Sequence, residues 1–391
     1  MASASNSPRV AVIGAGAFGA WTAHQLCDLG ARVTLIDAWG PGNSRASSGG
    51  ETRVIRAIYG GDRIYSEMVR RSYELWEQLD SLRQDALYTE TGALWMLREA
   101  DSAYVQAALP ILESLGFAVD EPDLDAARRR WPQIQFEGVR KLYLERRAGT
   151  LSARRSCRLL RDRLVGAGGV YQTSLARPGT SRGGKLQQVA LADGSSVEAD
   201  QFVFACGPWL GRLFPQVIGS AIRPTRQEVF YFGAPAGSDR YRPGQLPVWI
   251  DFGPRIFYGL PDTHGRGFKL ADDTRGEEID PSELNRQPGP EAVERAREFL
   301  AVRFPELADA PILESRVCQY ENSPDGHLIL DRHPELDNVF LAGGGSGHGF
   351  KLSPAVGELA ARAIIKGAPL PEVFSIGRLA RLKPVGTQFD Q

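Results

Sequence analysis

A glycine turn set between a short strand and a helix constrains this chain more than any other feature. Arg9 to Ile13 (RVAVI) is a β-branched run, Gly14-Ala15-Gly16-Ala17-Phe18-Gly19 follows it, and Phe18 to Leu29 carries helical spacing. A second apolar run, Val33 to Ile36, follows Gly30 and ends at Asp37, eighteen residues beyond Gly19, where a parallel strand would finish. Strand, glycine turn, helix and second strand together are the unit that binds a dinucleotide. Gly14 permits the tight turn, Gly16 lets the backbone approach a pyrophosphate, and Gly19 allows close packing of helix on strand. Ala17 and Phe18 open a helix whose N-terminal amides would face the phosphates. A carboxylate at Asp37 would accept hydrogen bonds from a ribose and repel a 2'-phosphate, which favours NAD or FAD over NADP without separating the first two.

Composition narrows the class. The 391 residues carry 46 Lys+Arg against 47 Asp+Glu, so no global field draws the protein to nucleic acid or to an anionic membrane. The length allows two or three domains with full cores. The four cysteines Cys27, Cys157, Cys206 and Cys318 form no CxxC pair, and the five histidines lie at no metal spacing, so neither a disulfide framework nor a metal site is expected. The polar opening MASASNSPR and the glycine-broken run from Val10 to Trp21 do not read as a signal peptide. The closing Phe389-Asp390-Gln391 is not a peroxisomal address, and a reducing cytoplasm is expected.

Beyond the first unit, Pro41 to Gly50 is too rich in Gly and Ser for regular structure, and the loop continuing through Glu51-Thr52-Arg53-Val54-Ile55-Arg56 delivers two arginines three residues apart. Helical patterns recur at Tyr65 to Leu82 and Pro290 to Phe304, and buried strands are expected at Ala199 to Cys206 and Asn338 to Ala342. The second of these strands leads into Gly343-Gly344-Gly345-Ser346-Gly347-His348-Gly349, too glycine-dense for a helix, after which Ser353 to Ile365 has an N-cap and an apolar period. Short strand-like runs such as Val248 to Asp251 and Ile256 to Leu260 alternate with turns between about 221 and 320. The expected fold class is α/β (α+β), a Rossmann-like nucleotide domain with a second, mixed-sheet substrate domain. Its nucleotide domain is discontinuous (1–88, 151–221 and 325–391), the substrate domain takes 89–150 and 222–324, and the cleft between them is the default active site.

Several segments together resemble the monomeric sarcosine oxidase family, covalent-flavin amine oxidases of the D-amino-acid-oxidase type. They are Gly14 to Asp37, the Gly50 to Arg56 stretch, Arg130-Trp131-Pro132, Gly207-Pro208-Trp209, Tyr258-Gly259, Phe268-Lys269-Leu270, Cys318-Gln319-Tyr320, Pro324-Asp325-Gly326-His327 and the SGHGFK run from Ser346 to Lys351. The resemblance spans nearly the whole chain and implies FAD as the dinucleotide, a glutathione-reductase/D-amino-acid-oxidase type of FAD domain, and a monomer acting on a small amine and O2. Cys318 falls where the family forms a thioether to the flavin 8α-methyl. Arg56 and Lys351 match the pair that holds the substrate carboxylate, an arginine fork opposed by an ammonium point charge. Arg53 would lie nearer the flavin ring and Thr52 would fix its loop. Lys269, eleven residues after Tyr258, matches the lysine beside flavin N5 that activates oxygen, since a fixed cation in a dry site stabilises superoxide. Alternation puts Lys269 on the opposite face from Phe268 and Leu270. Ser47 and Ser48 would donate to the pyrophosphate or ribityl chain, while Gly345, Gly347, His348 and Gly349 would fix backbone near the flavin. Tyr320 is expected beside the substrate.

Three positions depart from the pattern. Asp273 stands in place of an active-site histidine, Leu260 in place of a phenylalanine, and Trp249 in place of a pocket methionine. An acid four residues after the lysine is more like the fructosyl-amine oxidases, so a secondary amino acid larger than sarcosine, an Amadori compound or a cyclic imino acid becomes a candidate substrate. Two other classes stay open: a flavin dehydrogenase that passes electrons to a carrier, and a nucleotide-binding module without catalysis. Two unpaired buried cations in an idle site would argue against the latter.

Overall fold

A computed structural model describes residues 7–81, 86–99 and 102–381. The opening residues 1–6, the last residues from 382 and Leu82 lie outside the described residues, and the expectations that rest on them are not addressed by it.

The β-branched run folds as the strand Arg9–Ile13, buried from Val10 onward, and it pairs in parallel with Arg32–Asp37 on one side and Gln201–Phe204 on the other. Val170–Thr173 and Val339–Gly343 extend this parallel sheet, and Ile329–Arg332 closes one edge antiparallel, giving six strands. Consecutive strands that are buried on both faces read as continuous apolar runs, which is why RVAVI and the segment at 201–204 were legible. Helix Ala17–Asp28 crosses this sheet and packs along Gly349–Lys366, where a Cβ on Gly357 would stand 2.6 Å from the Trp21 carbonyl carbon. Close helix approach therefore needs a residue without a side chain at that point.

The second sheet has eight strands in the order Ile312–Asn322, Arg223–Phe232, Phe268–Asp272, Phe257–Leu260, Val248–Phe252, Ala93–Leu97, Lys141–Glu145 and Val119–Asp120. All neighbours are antiparallel except Val248–Phe252 beside Ala93–Leu97. Its two faces belong to different cores. Trp249, Phe257, Phe268 and Leu270 pack outward with Phe299 and Leu300 of helix Pro290–Arg303, whereas Val248, Ile250, Tyr258 and Leu260 belong to the core that also holds residues of helices Ala17–Asp28 and Gly349–Lys366.

Two expected elements differ. The segment carrying the two arginines is not a loop throughout: Thr52–Ile55 is a strand paired antiparallel with Gly149–Ser152, which is itself paired with Tyr88–Glu90. The final helix starts at Gly349, four residues before Ser353, so Lys351 stands in its first turn and Pro354 lies inside it. A proline there leaves the Phe350 carbonyl without its usual partner four residues on. Ser353 Oγ supplies the missing bond by donating to Phe350 O at 2.7 Å. Ser353→Ala should leave that buried carbonyl unsatisfied and lower unfolding stability by about 1–3 kcal/mol, read as a lower urea midpoint with unchanged slope.

Candidate active site

Gly14 sits at φ 104°, and any Cβ there would lie 2.3 Å from Ala205 O. On Gly19 a Cβ would fall 1.8 Å from Gly14 O, so the helix can approach the strand only with glycine at both positions. Asp37 is held by three backbone amides: Ala15 N donates to Oδ2 at 2.7 Å, and Trp39 N and Gly40 N donate to Oδ1 at 2.9 and 2.8 Å. Burial nevertheless pushes the Asp37 carboxyl above its usual range, those amides opposing the rise.

From this turn a cavity of about 750 Å³ runs between the two sheets. Gly14, Gly16, Ala17, Phe18, Asp37, Ser47 and Ser48 line one part of it, and Arg53, Tyr258, Cys318, Tyr320, Gly345, Gly347 and Gly349 another. Residues separated by three hundred positions are thus brought to one wall. Its size and shape suit an extended dinucleotide. Three wall atoms, Ser47 Oγ, Gln319 Oε1 and Glu321 Oε2, are buried without a hydrogen-bond partner. Polar groups in that condition fit a bound, hydroxyl- and phosphate-rich molecule.

Behind this wall stand the cations. Lys269 is 1% exposed, and its Nζ donates to Thr52 O at 2.9 Å. Arg53 Nη1 donates to the same carbonyl at 2.8 Å, while Nη2 donates to Ser47 O and lies 3.7 Å from Cys318 Sγ. Burial, reinforced by Arg53, pushes the Lys269 amine well below the usual lysine range. Arg56 is clamped between the rings of Tyr59 and Trp95, 4.8 and 5.1 Å from their centroids, and Nη1 donates to Ile58 O. Lys351 Nζ lies 5.2 Å from the Tyr59 centroid and donates to His348 O at 3.1 Å. Its amine is pushed far down by burial and then by Arg56, with Asp273 and Glu145 pulling the other way.

His348 cannot serve as a base in this arrangement. Burial and then Lys351 hold it neutral, Nε2 is 3.0 Å from the Gly326 carbonyl, and Nδ1 is 3.2 Å from Tyr59 Oη. A carbonyl only accepts, so Nε2 carries the proton and Nδ1 accepts from the tyrosine. Asp273 is raised to about 6 by burial, with Tyr320, Arg56 and Lys351 opposing the rise. Tyr320 Oη donates to Asp273 Oδ1 at 2.7 Å.

One expected pocket residue faces away from the site. Trp249 points to the outer face and stacks on Phe268 and Phe299, with centroids 5.6 and 5.5 Å apart. Strand alternation is the reason: Ile250, paired with Tyr258, occupies the site face in its place. Leu260 shares the face of Lys269, its register partner, and is buried as Lys269 is. Other site residues carried no motif. Glu145 Oε2 accepts from Ala57 N at 2.6 Å and Oε1 from Trp95 Nε1 at 2.7 Å, fixing both the segment after Arg56 and the ring stacked on it. Tyr59, Trp95, Glu145 and Glu321 belong to none of the segments that carry the resemblance or the nucleotide turn, and only the fold assembles them. His327, read as having no metal partners, accepts from or donates to Tyr65 Oη at 3.0 Å, and no metal-competent cluster occurs among the described residues. No described helix is long and apolar enough to cross a membrane.

Residues 9–363 match the family model described as FAD dependent oxidoreductase (DAO). The chain belongs to this family. It is 31% identical over 379 residues to the monomeric sarcosine oxidase of Bacillus sp. (strain B-0618), covering 95% of this chain and 96% of that protein. Among solved structures, L-proline dehydrogenase from P. horikoshii superposes with a TM-score of 0.83 at 22% identity, covering 96% and 98% of the two chains. Amadoriase I from Aspergillus fumigatus, a fructosyl amine:oxygen oxidoreductase, gives 0.81 at 21% identity, covering 97% and 92%. The last two share the fold, so the expected α/β FAD domain with a mixed-sheet companion holds. The glycine turn, the orphaned wall atoms and the cavity fit the family's FAD.

The Tyr320 bond favours the charged form of Asp273. Tyr320→Phe should therefore move the ionisation near pH 6 to higher pH, visible as a displaced acidic limb in the pH profile of kcat/KM.

Proposed function

We propose that this protein is an FAD-dependent oxidase of secondary amino acids, acting on a substrate with a larger N-substituent or side chain than sarcosine. The observation that carries this reading is the Arg56–Lys351 pair. Both cations flank Tyr59, both are 5% exposed, Arg56 Nη1 donates to Ile58 O and Lys351 Nζ donates to His348 O. A substrate carboxylate would pair with the Arg56 fork and return Lys351, whose amine burial pushes far down, to its charged state.

Bound FAD supplies the two-electron acceptor for a hydride from the carbon next to nitrogen and passes the electrons to O2, giving H2O2. The protein's own work is positioning and charge. Arg56 and Lys351 orient the carboxylate, and the rings of Tyr59 and Trp95 exclude water from it. Only a neutral amine can form the C=N bond as the hydride leaves, so the substrate must lose its extra N–H proton first. Asp273, ionised above about pH 6, faces the same two cations and is the acceptor we assign to that proton or to a substrate hydroxyl. The imine is then hydrolysed by water to an amine and a carbonyl compound. Lys269, held on Thr52 O, provides the cation that meets the charge developing on oxygen.

Cys318 is the residue we assign to covalent attachment. It lines the cavity beside Arg53 and is a free thiol. Its sulfur would bond to the flavin 8α-carbon, with two protons and two electrons leaving to O2. Asp273 favours fructosyl-amino acids as a second substrate class, because a carboxylate can bind sugar hydroxyls. The sarcosine oxidases it resembles are named monomeric, and we propose a monomer in the cytoplasm, with O2 and a small amine as partners.

Anaerobic titration with sarcosine, N-methyl-tryptophan, pipecolate, proline and fructosyl-glycine should bleach a yellow protein with one of these, and an oxidised spectrum unchanged by all of them would count against the substrate class. Lys269→Met should slow reoxidation by O2 about a hundredfold or more while changing anaerobic reduction much less, and equal losses in stopped flow would remove the oxygen role. Cys318→Ala should let acid precipitation release the flavin that stays on the wild-type chain.

A further inference from the structure

Glu321 is a buried carboxyl that nothing in the proposed chemistry uses. It lies near the end of the strand Ile312–Asn322, three residues after Cys318, on the cavity wall. Its side chain is inserted between two glycine turns. A Cβ on Gly345 would be 2.9 Å from Oε1, and one on Gly207 would be 3.5 Å from Oε2. Both turns follow strands of the parallel sheet, Gly207 after Gln201–Phe204 and Gly345 after Val339–Gly343. The carboxyl thus stands at the same end of the parallel sheet as the Gly14 turn.

Its two oxygens are unequal. Oε1 accepts a long bond, 3.3 Å, from Gly345 N, and Oε2 is itself buried and has no partner among the described residues. No cation pairs with it among the described residues. The titratable group facing it from the Gly207 turn is the Cys206 thiol, pushed up by burial and then by Asp37 and Glu321. The Gly343–Gly349 turn faces it with backbone. Burial raises the Glu321 carboxyl to about 7, only the Gly345 amide opposing. A protonated acid placed this way has one donor to give and no acceptor for it among the described residues.

We propose that Glu321 binds the cofactor as a neutral acid, its Oε2–H donating to an oxygen on the ribityl–pyrophosphate segment of FAD. The assignment rests on the family's FAD and not on the substrate reading. A carboxylate in the same place would meet a phosphate-bearing molecule as a like charge without a counter-ion. Affinity should then be level while the acid is protonated and fall as pH rises through its ionisation.

Free exchange of FAD is needed to measure this, so the full-length Cys318→Ala protein is the parent. Its FAD dissociation constant, followed by quenching of flavin fluorescence, should weaken about tenfold between about pH 6 and about pH 8.5, the loss of one charge-sensitive hydrogen bond. Adding Glu321→Gln keeps an N–H at the same place and should give a constant within about threefold of the parent at the lower pH, with the slope abolished. Adding Glu321→Leu should weaken binding about tenfold already at the lower pH. A parent constant that does not change with pH, or a Glu321→Gln protein that keeps the slope, would overturn the proposal. So would a Glu321→Leu protein that binds like the parent. If neither wild type nor parent binds FAD at any pH, the flavin reading falls and takes this one with it, which separates the two failures.

Discussion

Four cations share one dry region of this molecule, and the rest of the site is arranged around how they are kept there. Lys269, Arg53, Arg56 and Lys351 each donate to backbone carbonyls, of Thr52, Ser47, Ile58 and His348. Pairing each with a carboxylate would neutralise the region and leave nothing to attract an anion. Carbonyl dipoles offset part of the desolvation penalty, which still pushes the Lys269 and Lys351 amines well below the usual lysine range, and they work only if the chain segments that carry them are fixed. That requirement explains the short sheet through Thr52–Ile55, the Glu145 clamp on Ala57, and the helix that starts at Gly349 to present Lys351 in its first turn.

The eight-stranded sheet meets a second requirement. Its site face must present a few polar groups at set heights, whereas its outer face only has to be packed. Alternation separates these tasks along each strand. Lys269 lies between Phe268 and Leu270, which belong to the aromatic layer under helix Pro290–Arg303. The same layer takes Trp249, so a substitution pattern that seemed to concern the pocket concerns the support beneath it.

Legibility in the sequence followed the range of the physics involved. The Gly14–Gly19 turn, the strand at Arg9–Ile13 and the helix after it are local, set by backbone sterics and apolar spacing, and they could be read directly. The final helix was misplaced by four residues because the glycines at its start and Pro354 both argue locally against a helix, and only the Ser353 hydroxyl and the packing on Ala17–Asp28 reverse that. Arg56, Lys351, Lys269 and Cys318 are proposed through resemblance, since no spacing rule links residues from four separate elements. Glu145, Trp95, Tyr59 and Glu321 had no such guide. Each is an ordinary residue in an ordinary strand or turn, and its meaning comes from partners up to hundreds of positions away.

The Thr52 carbonyl ties two of these groups together. It accepts from Lys269 and from Arg53 at once, and Arg53 in turn reaches the Cys318 sulfur. A rotation of that one peptide unit would move both cations in concert. With the oxygen role proposed for Lys269, oxygen reactivity and the electrostatic setting of the thiol are therefore not separately adjustable. Selection or engineering that retunes one of them through this segment will carry the other along, and escaping that coupling needs changes on the Lys269 strand or the Cys318 strand instead.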